Sequence, residues 1–208
     1  MNPDALDHLR RADPVMKALI ARVGPCTLKP RQRRSPFESL VRAVANQQLS
    51  NRAAATILAR FRAMFPRGAF PGPAALQAIT DEQLRACGFS RAKIASLREI
   101  ASKAISGEIP SLRQIRSMTD EEIIERLDAV RGVGRWTVEM LLIFGLGRPD
   151  VLPVDDFGVR NGFRLAYGLA EMPKPSAVLQ HGERWRPFRS TASWYLWRAV
   201  EVYGRAPA

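Results

Sequence analysis

Two stretches of this sequence carry residues whose types and spacing could do chemistry. In RPDVLPVDDFGVRNG, a rigid Leu-Pro-Val segment leads into two adjacent carboxylates, Asp155 and Asp156, at the start of a helical pattern. One Asp in that position is a helix cap, and Asp155 is assigned to that task. Two in a row exceed what capping needs, so Asp156 is left to project into a cleft, where a carboxylate can stabilise positive charge or orient a water. In LDAVRGVGRWTVEMLLIFGLG, a helix from Ile123 to Val130 is followed by Arg131-Gly132-Val133-Gly134 and a second helix from Arg135 to Phe144. Two glycines in three residues permit positive φ and close approach of another backbone. The N–H groups that head the second helix point outward and suit a phosphate oxygen, with Arg131 and Arg135 adding charge beside them. Taken alone, Gly-x-Gly also fits an ordinary C-cap turn.

The elements that must position these residues are helices. Apolar residues recur at helical spacing in almost every segment and the alternation that marks strands is nearly absent, so the chain reads as all-α. The first helix runs from about Asp4 to Val23 and stops at Gly24-Pro25, followed by a basic connector, CTLKPRQRRSP, that Pro36 ends. FESLVRAVANQQ places Phe37, Leu40, Val41 and Val44 on one side. Ser50 caps the next helix, and PRGAFPGPAA reads as a loop without regular structure. Thr80 and Thr119 open capping boxes with Gln83 and Glu122. Ser90 starts a helix whose buried stripe is Ile94, Leu97, Ile100, Ala101 and Ile105, with Gly107 as its stop. Short helices with tight connections suit a compact bundle.

Composition narrows the class. The chain has 208 residues, enough for one domain with a sizeable core or for two lobes that share an interface. Lys and Arg number 32 against 20 Asp and Glu, for a formal charge of +12. Only five of the basic residues are Lys (Lys17, Lys29, Lys93, Lys103 and Lys174). Such a surplus attracts polyanions and steers them at long range, although coding bias toward Arg also produces one. Cys26 and Cys87 lack the short spacings of zinc or iron-sulfur ligation. The N-terminus has no continuous apolar signal region, and no apolar run reaches the roughly 18 residues of a membrane span. The expectation is a soluble, cytoplasmic protein.

The hairpin followed by VLPVDDFGVRNG resembles the helix-hairpin-helix plus Gly/Pro-rich loop and Asp signature of the DNA glycosylase (HhH-GPD) superfamily. It is most similar to the 3-methyladenine DNA glycosylase II group. FESLVRAVANQQLSNRAAATI, GFSRAKIASLREIA and ERWRPFRSTASWYLWRAVE match that group in the same order, from about Phe37 to the C-terminus. The resemblance implies a single domain over residues 1–208, a two-lobed helical bundle with its active-site cleft between the lobes. The central lobe covers about 37–145, and the other is made of the N-terminal helix (about 1–35) and C-terminal helices (about 150–208). The resemblance does not extend to the β-rich N-terminal domain of larger bacterial members, and the four-cysteine cluster of the endonuclease III branch is not expected with Cys26 and Cys87 alone.

By position, the resemblance puts the catalytic aspartate at Asp156, since Val159 and Arg160 keep the family register. It implies hydrolysis of the N-glycosidic bond of alkylated bases in double-stranded DNA, in which the carboxylate stabilises a sugar with oxocarbenium character. Strand-cleaving members carry Lys at the position of Trp136, and an indole cannot form a Schiff base, so lyase activity is not expected. Trp136 and Trp197 then wall a base pocket floored by Met140, while Trp185 and Trp194 belong to the core; for each aromatic the core remains the alternative reading. The DNA-binding set is Gln47, Gln48, Arg131, Gly132, Val133, Gly134, Arg135 and Thr137. Gln48 aligns with the side chain that fills the gap left by a flipped base, although a polar helix terminus is the other reading of it. Backbone carbonyls of Asp128, Val130 and Val133 are implied to hold a structural Na+ or K+. No other cofactor, no membrane and a monomer are expected. Two rival readings stay open: a DNA-binding hairpin module without catalysis, and a glycosylase for oxidised or mismatched bases.

Overall fold

The computed structural model describes residues 3–30 and 34–204, and every regular element among them is helical. No helix among the described residues is long and apolar enough to cross a membrane. The middle of the basic connector, residues 31–33, lies outside the described residues. The chain divides into two compact units, Met1–Arg31 with Leu142–Ala208, and Gln32–Leu141.

The first unit opens with α1 (Pro3–Ala12) and α2 (Pro14–Val23) where the sequence suggested one continuous helix. The break is local chemistry. Pro14 has no N–H and its ring drives the residue before it out of the helical region, so Asp13 sits at φ −151°, ψ 111°. Its Oδ1 instead caps α2, accepting from the N–H groups of Val15 (2.9 Å) and Met16 (3.2 Å). Gly24, at φ 84°, ends α2, and the buried Tyr195 hydroxyl donates to the Gly24 carbonyl at 2.8 Å. Burial pushes that phenol up to about 12.

The second unit holds α3 (Pro36–Asn46), α4 (Asn51–Ala63), α5 (Pro73–Ala78), α6 (Asp81–Cys87), α7 (Arg91–Ile105), α8 (Leu112–Ile115), α9 (Asp120–Asp128) and α10 (Arg135–Met140). Ser50 and Ser90 cap α4 and α7, and the capping boxes at Thr80 and Thr119 form as expected. A third box, Ser111 with Gln114, starts α8. The proline-rich segment is not wholly irregular: Pro73 begins α5, because a first-turn residue needs no N–H. In α7 the stripe Ile94, Leu97, Ile100 and Ala101 is buried, whereas Ile105, in the last turn, is 59% exposed. Phe37, Leu40, Val41 and Val44 of α3 join this core. Helices of six or seven residues are too short to persist alone, so caps and apolar burial hold them. The expected helix to Phe144 is interrupted: after α10 the backbone widens into a π-turn over Leu141–Leu146. Its all-apolar sequence gives no periodicity from which that shift could be read. Both cysteines are buried free thiols.

The first unit resumes with α11 (Phe157–Ala166), α12 (Pro175–Gly182) and α13 (Arg189–Tyr203). Gly162 lets α11 press against the backbone of α13, since a Cβ there would lie 1.9 Å from the Leu196 carbonyl oxygen. Trp185 and Trp194 are core residues, with 0% and 8% exposure. Asp13 is the polar centre of this core. Its Oδ2 accepts from the Tyr167 hydroxyl, from Trp185 Nε1 (3.0 Å), and lies 2.9 Å from His181 Nε2. Burial raises the Asp13 carboxyl, but hydrogen bonds from Tyr167, His181, Trp185 and the Met16 amide outweigh it and hold the group below the usual carboxylate range.

A depressed folded-state pKa stabilises the fold above the unfolded value and is lost as pH falls through the folded value. Asp13→Asn keeps the cap acceptor but removes the charge, so urea unfolding at neutral pH should show a loss of roughly 2–4 kcal/mol, given about 1.5–3 kcal/mol for a hydrogen bond to a charged group. The deficit should shrink in acid as the parent carboxyl protonates. An unchanged midpoint at neutral pH would remove Asp13 as the centre of this unit.

Candidate active site

The hairpin of the second unit is a clamped turn. α9 ends at Asp128, Val133 N–H donates to Val130 O at 2.9 Å, and α10 starts at Arg135 with Gly134 as its N-cap. Of the two glycines only Gly132 has positive φ (75°), and it also needs the space: a Cβ there would fall 2.4 Å from Ser96 Oγ of α7. Gly134, at φ −85°, uses no such freedom. Gln47 Nε2 donates to Gly132 O at 2.7 Å, which ties the loop after α3 to the hairpin. Arg131 N–H donates to Glu99 Oε1 at 3.1 Å, so that amide is already satisfied by a carboxylate.

The predicted DNA-binding residues fall into different environments. Arg131 is exposed, and its side chain makes no ion pair among the described residues. Arg135 is tied through Nε to the buried Glu139 at 3.1 Å, with its side chain 58% exposed. Thr137 is buried, and its N–H donates to Gly134 O at 2.8 Å. Val133 is buried, which leaves its backbone as its contribution to the turn. Gln47 is half-buried, whereas Gln48 is exposed and holds φ 56°, a left-handed conformation that a non-glycine residue seldom adopts and that concentrates at functional sites. Leu49 beside it is also exposed.

Lys93 escaped the sequence reading. Its Nζ donates to the carbonyls of Ala45 and Gln47, each at 2.9 Å, and so fixes the loop from beneath. Desolvation by burial lowers its pKa. The available signal was its type, a Lys kept in a chain whose basic residues are overwhelmingly Arg; a compact ammonium reaches two converging carbonyls where a guanidinium fork fits poorly.

Trp136 is 44% exposed on α10, so it is no core residue, and the half-buried Met140 follows one turn later on the same face.

In the first unit, the helix cap falls on Asp156 and not on Asp155, to which the sequence assigned it. Asp155 lies exposed in the turn, and Asp156 is the N-cap of α11, its Oδ1 accepting from Val159 N–H at 2.7 Å. The turn decides this, because Asp156 N–H is bonded to Pro153 O (3.1 Å) and Arg160 N–H to Asp156 O (3.0 Å). The same Oδ1 also accepts from Trp197 Nε1 at 2.8 Å. Trp197 therefore presents its N–H to the carboxylate, and one face stacks on Phe144 with centroids 5.5 Å apart and planes at 26°. Gly158 makes room for this pair, since a Cβ there would lie 2.8 Å from Trp197 Cδ1. Phe144 was not foreseen as part of the site, because the π-turn sets its direction. Phe157, next to the carboxylate, is 70% exposed.

An aspartate oriented by two N–H donors beside stacked aromatics can act on cationic character, and a glycine hairpin flanked by Arg131 can meet a phosphate. Known proteins share this arrangement of sequence. Over 198 residues the chain is 45% identical to DNA-3-methyladenine glycosylase 1 of Schizosaccharomyces pombe, across 94% of this chain and 86% of the other. It is 30% identical over 173 residues to DNA-3-methyladenine glycosylase 2 of Escherichia coli, across 77% of this chain and 56% of the other. The structure of the S. pombe 3-methyladenine DNA glycosylase in complex with abasic DNA matches with a TM-score of 0.87 at 43% identity, over 98% of this chain and 100% of that one. The DNA-3-methyladenine glycosidase of Bacillus halodurans matches with the same TM-score at 32% identity, over 98% and 92%. The family model that matches residues 41–187 is that of the HhH-GPD superfamily base excision DNA repair proteins, and the chain belongs to that family.

Proposed function

We propose that this chain is a DNA glycosylase that releases alkylated bases from double-stranded DNA by hydrolysing the N-glycosidic bond. The observation that carries the reading is the Asp156 carboxylate, oriented at the head of α11 by Val159 N–H and Trp197 Nε1. As the bond to the base breaks, positive charge develops on the sugar, and a fixed anion lowers the energy of that state with no reorganisation at the moment of reaction. An alkylated purine already carries positive charge and leaves readily, so the step needs little help from an acid. Trp136 and Met140 supply the pocket surface for the extruded base, and an indole face favours an electron-poor, cationic ring. The exposed Gln48 enters the duplex gap. Trp136 in place of an amine also leaves no Schiff-base route, so the reading is monofunctional, as in the type II group, and one copy of the chain per lesion suffices.

Carbonyl oxygens of Asp128, Val130 and Val133 are hard donors of the kind an alkali cation prefers. Val130 O already accepts from Val133 N–H, and a carbonyl keeps a second lone pair for a ligand. A bound Na+ or K+ there would supply positive charge toward a phosphate.

Asp156→Asn should cut release of methylated bases at least about a hundredfold, the scale of a main electrostatic group, while binding to abasic-site DNA persists, since Asn retains an oxygen for Val159. Asp155→Asn should stay near the parent rate; a reversal of the two results would sink the assignment. Trp136→Ala should lose roughly 1–3 kcal/mol of productive binding, the range for base stacking, with the largest loss for cationic lesions. A large drop in thermal stability with equal loss on all substrates would instead mark Trp136 as structural. Trp136→Lys should trap a covalent DNA adduct with borohydride that the parent does not form.

A further inference from the structure

From Ser39 to Thr80 the sequence contains no Asp or Glu, yet carries Arg42, Arg52, Arg60, Arg62 and Arg67. Two of these charges are satisfied locally: Arg42 pairs with Glu38 at 2.8 Å, and Arg62 Nε donates to Gly68 O at 2.8 Å. Arg52 and Arg60 are not. Both are exposed on α4, and neither makes an ion pair or side-chain hydrogen bond among the described residues. They stand eight positions apart with Thr56 midway, so all three share one face of the helix.

That face borders an open groove of about 470 Å³ lined by Ser50, Arg52, Ala53, Thr56, Ile57, Arg60 and Gly88. Among the described residues no acidic side chain lines it. Gly88, at φ 108°, closes the far wall without a side chain; a Cβ there would meet Ile57 Cγ1 at 3.0 Å. The groove starts at Ser50, the residue that follows the Gln47–Leu49 loop held to the hairpin through Gly132. At 1.5 Å per residue, Arg52 and Arg60 are about 12 Å apart along the helix axis. One DNA strand advances about 3.4 Å per phosphate along its axis, so the two guanidinium groups span about three to four phosphates.

We propose that the α4 groove is a second backbone contact, in which Arg52 and Arg60 hold phosphates of a DNA strand flanking the lesion. The proposal rests on the DNA glycosylase reading above and extends its footprint beyond the hairpin and the base pocket. The partner is identified by charge: two uncompensated guanidinium groups at the spacing of a phosphate track, on an acid-free helix, with small and apolar side chains between them that a sugar can approach.

The test is the salt dependence of binding to a duplex with a central abasic-site analogue, measured by fluorescence anisotropy. Each phosphate contact contributes about 0.9 to the slope of log K against log salt concentration. The R52Q/R60Q double variant should therefore bind more weakly at low salt and show a slope shallower by about 2. The R52K/R60K variant keeps both charges and should retain the parent slope. A parental slope in R52Q/R60Q would overturn the proposal, as would an equal loss in R52K/R60K. Base release by the parent from methylated duplex is measured in parallel. If the parent releases base and R52Q/R60Q keeps its slope, only the groove assignment fails; if the parent releases no base, the enzymatic reading fails with it.

Discussion

Asp156 Oδ1 accepts two hydrogen bonds with different purposes. The bond from Val159 N–H is a helix cap, a local device worth about 1 kcal/mol in its usual setting. The bond from Trp197 Nε1 is a tertiary one, from a residue on α13. Together they fix both the direction of the carboxylate and the plane of the indole, and Phe144 then stacks on that plane. The close approach of α11 to α13 at Gly162 is what brings donor and acceptor within 2.8 Å. A larger residue at Gly158 or Gly162 would force these helices apart and take the aromatic pair with them.

The second unit solves a different problem, that of holding the irregular backbone of a loop and a tight turn at its surface. The loop after α3 and the hairpin lend each other polar partners: Gln47 satisfies the Gly132 carbonyl, Lys93 gathers those of Ala45 and Gln47, and Glu99 accepts from the Arg131 amide. Backbone groups in such turns are costly to leave unpaired. With that scaffold saturated, Gln48 can be held at positive φ and exposed, and the Arg131 guanidinium is left to the surroundings.

Charge is distributed with the same economy. The Asp150 carboxylate takes Arg189 and Arg186, and Glu38 takes Arg42, so part of the basic complement is paired and structural. Arg131 beside the hairpin and Arg52 and Arg60 on one face of α4 are among the basic side chains that make no ion pair within the described residues, and such groups are what a polyanion would meet. Net charge in the sequence speaks to the class of partner, whereas pairing decides where that partner can be held.

The sequence by itself determined the helical class, most helix starts and most residues of the buried stripes, Ile105 in the last turn of α7 excepted. Each of these is set by neighbours three or four positions away: Ser50, Ser90, Thr80 and Thr119 cap because the amides they satisfy lie within the next turn. The break at Asp13-Pro14 is local too, yet apolar periodicity reads across it as one helix, because the proline that cannot donate leaves the spacing of apolar residues undisturbed. Ordered motifs further fixed the family and brought Asp156, Trp136 and the hairpin into view. Which of two adjacent aspartates caps α11 was settled by the local turn at Pro153–Asp156, whose register two like residues in a row leave open, whereas tertiary structure alone decided that Trp197 binds the carboxylate and that Gln47 braces Gly132. It also decided that Asp13 joins Tyr167, His181 and Trp185. These tertiary bonds connect residues from 41 to 172 positions apart, distances over which helical periodicity carries no register, and the π-turn that aims Phe144 lies in an all-apolar run where every position looks alike.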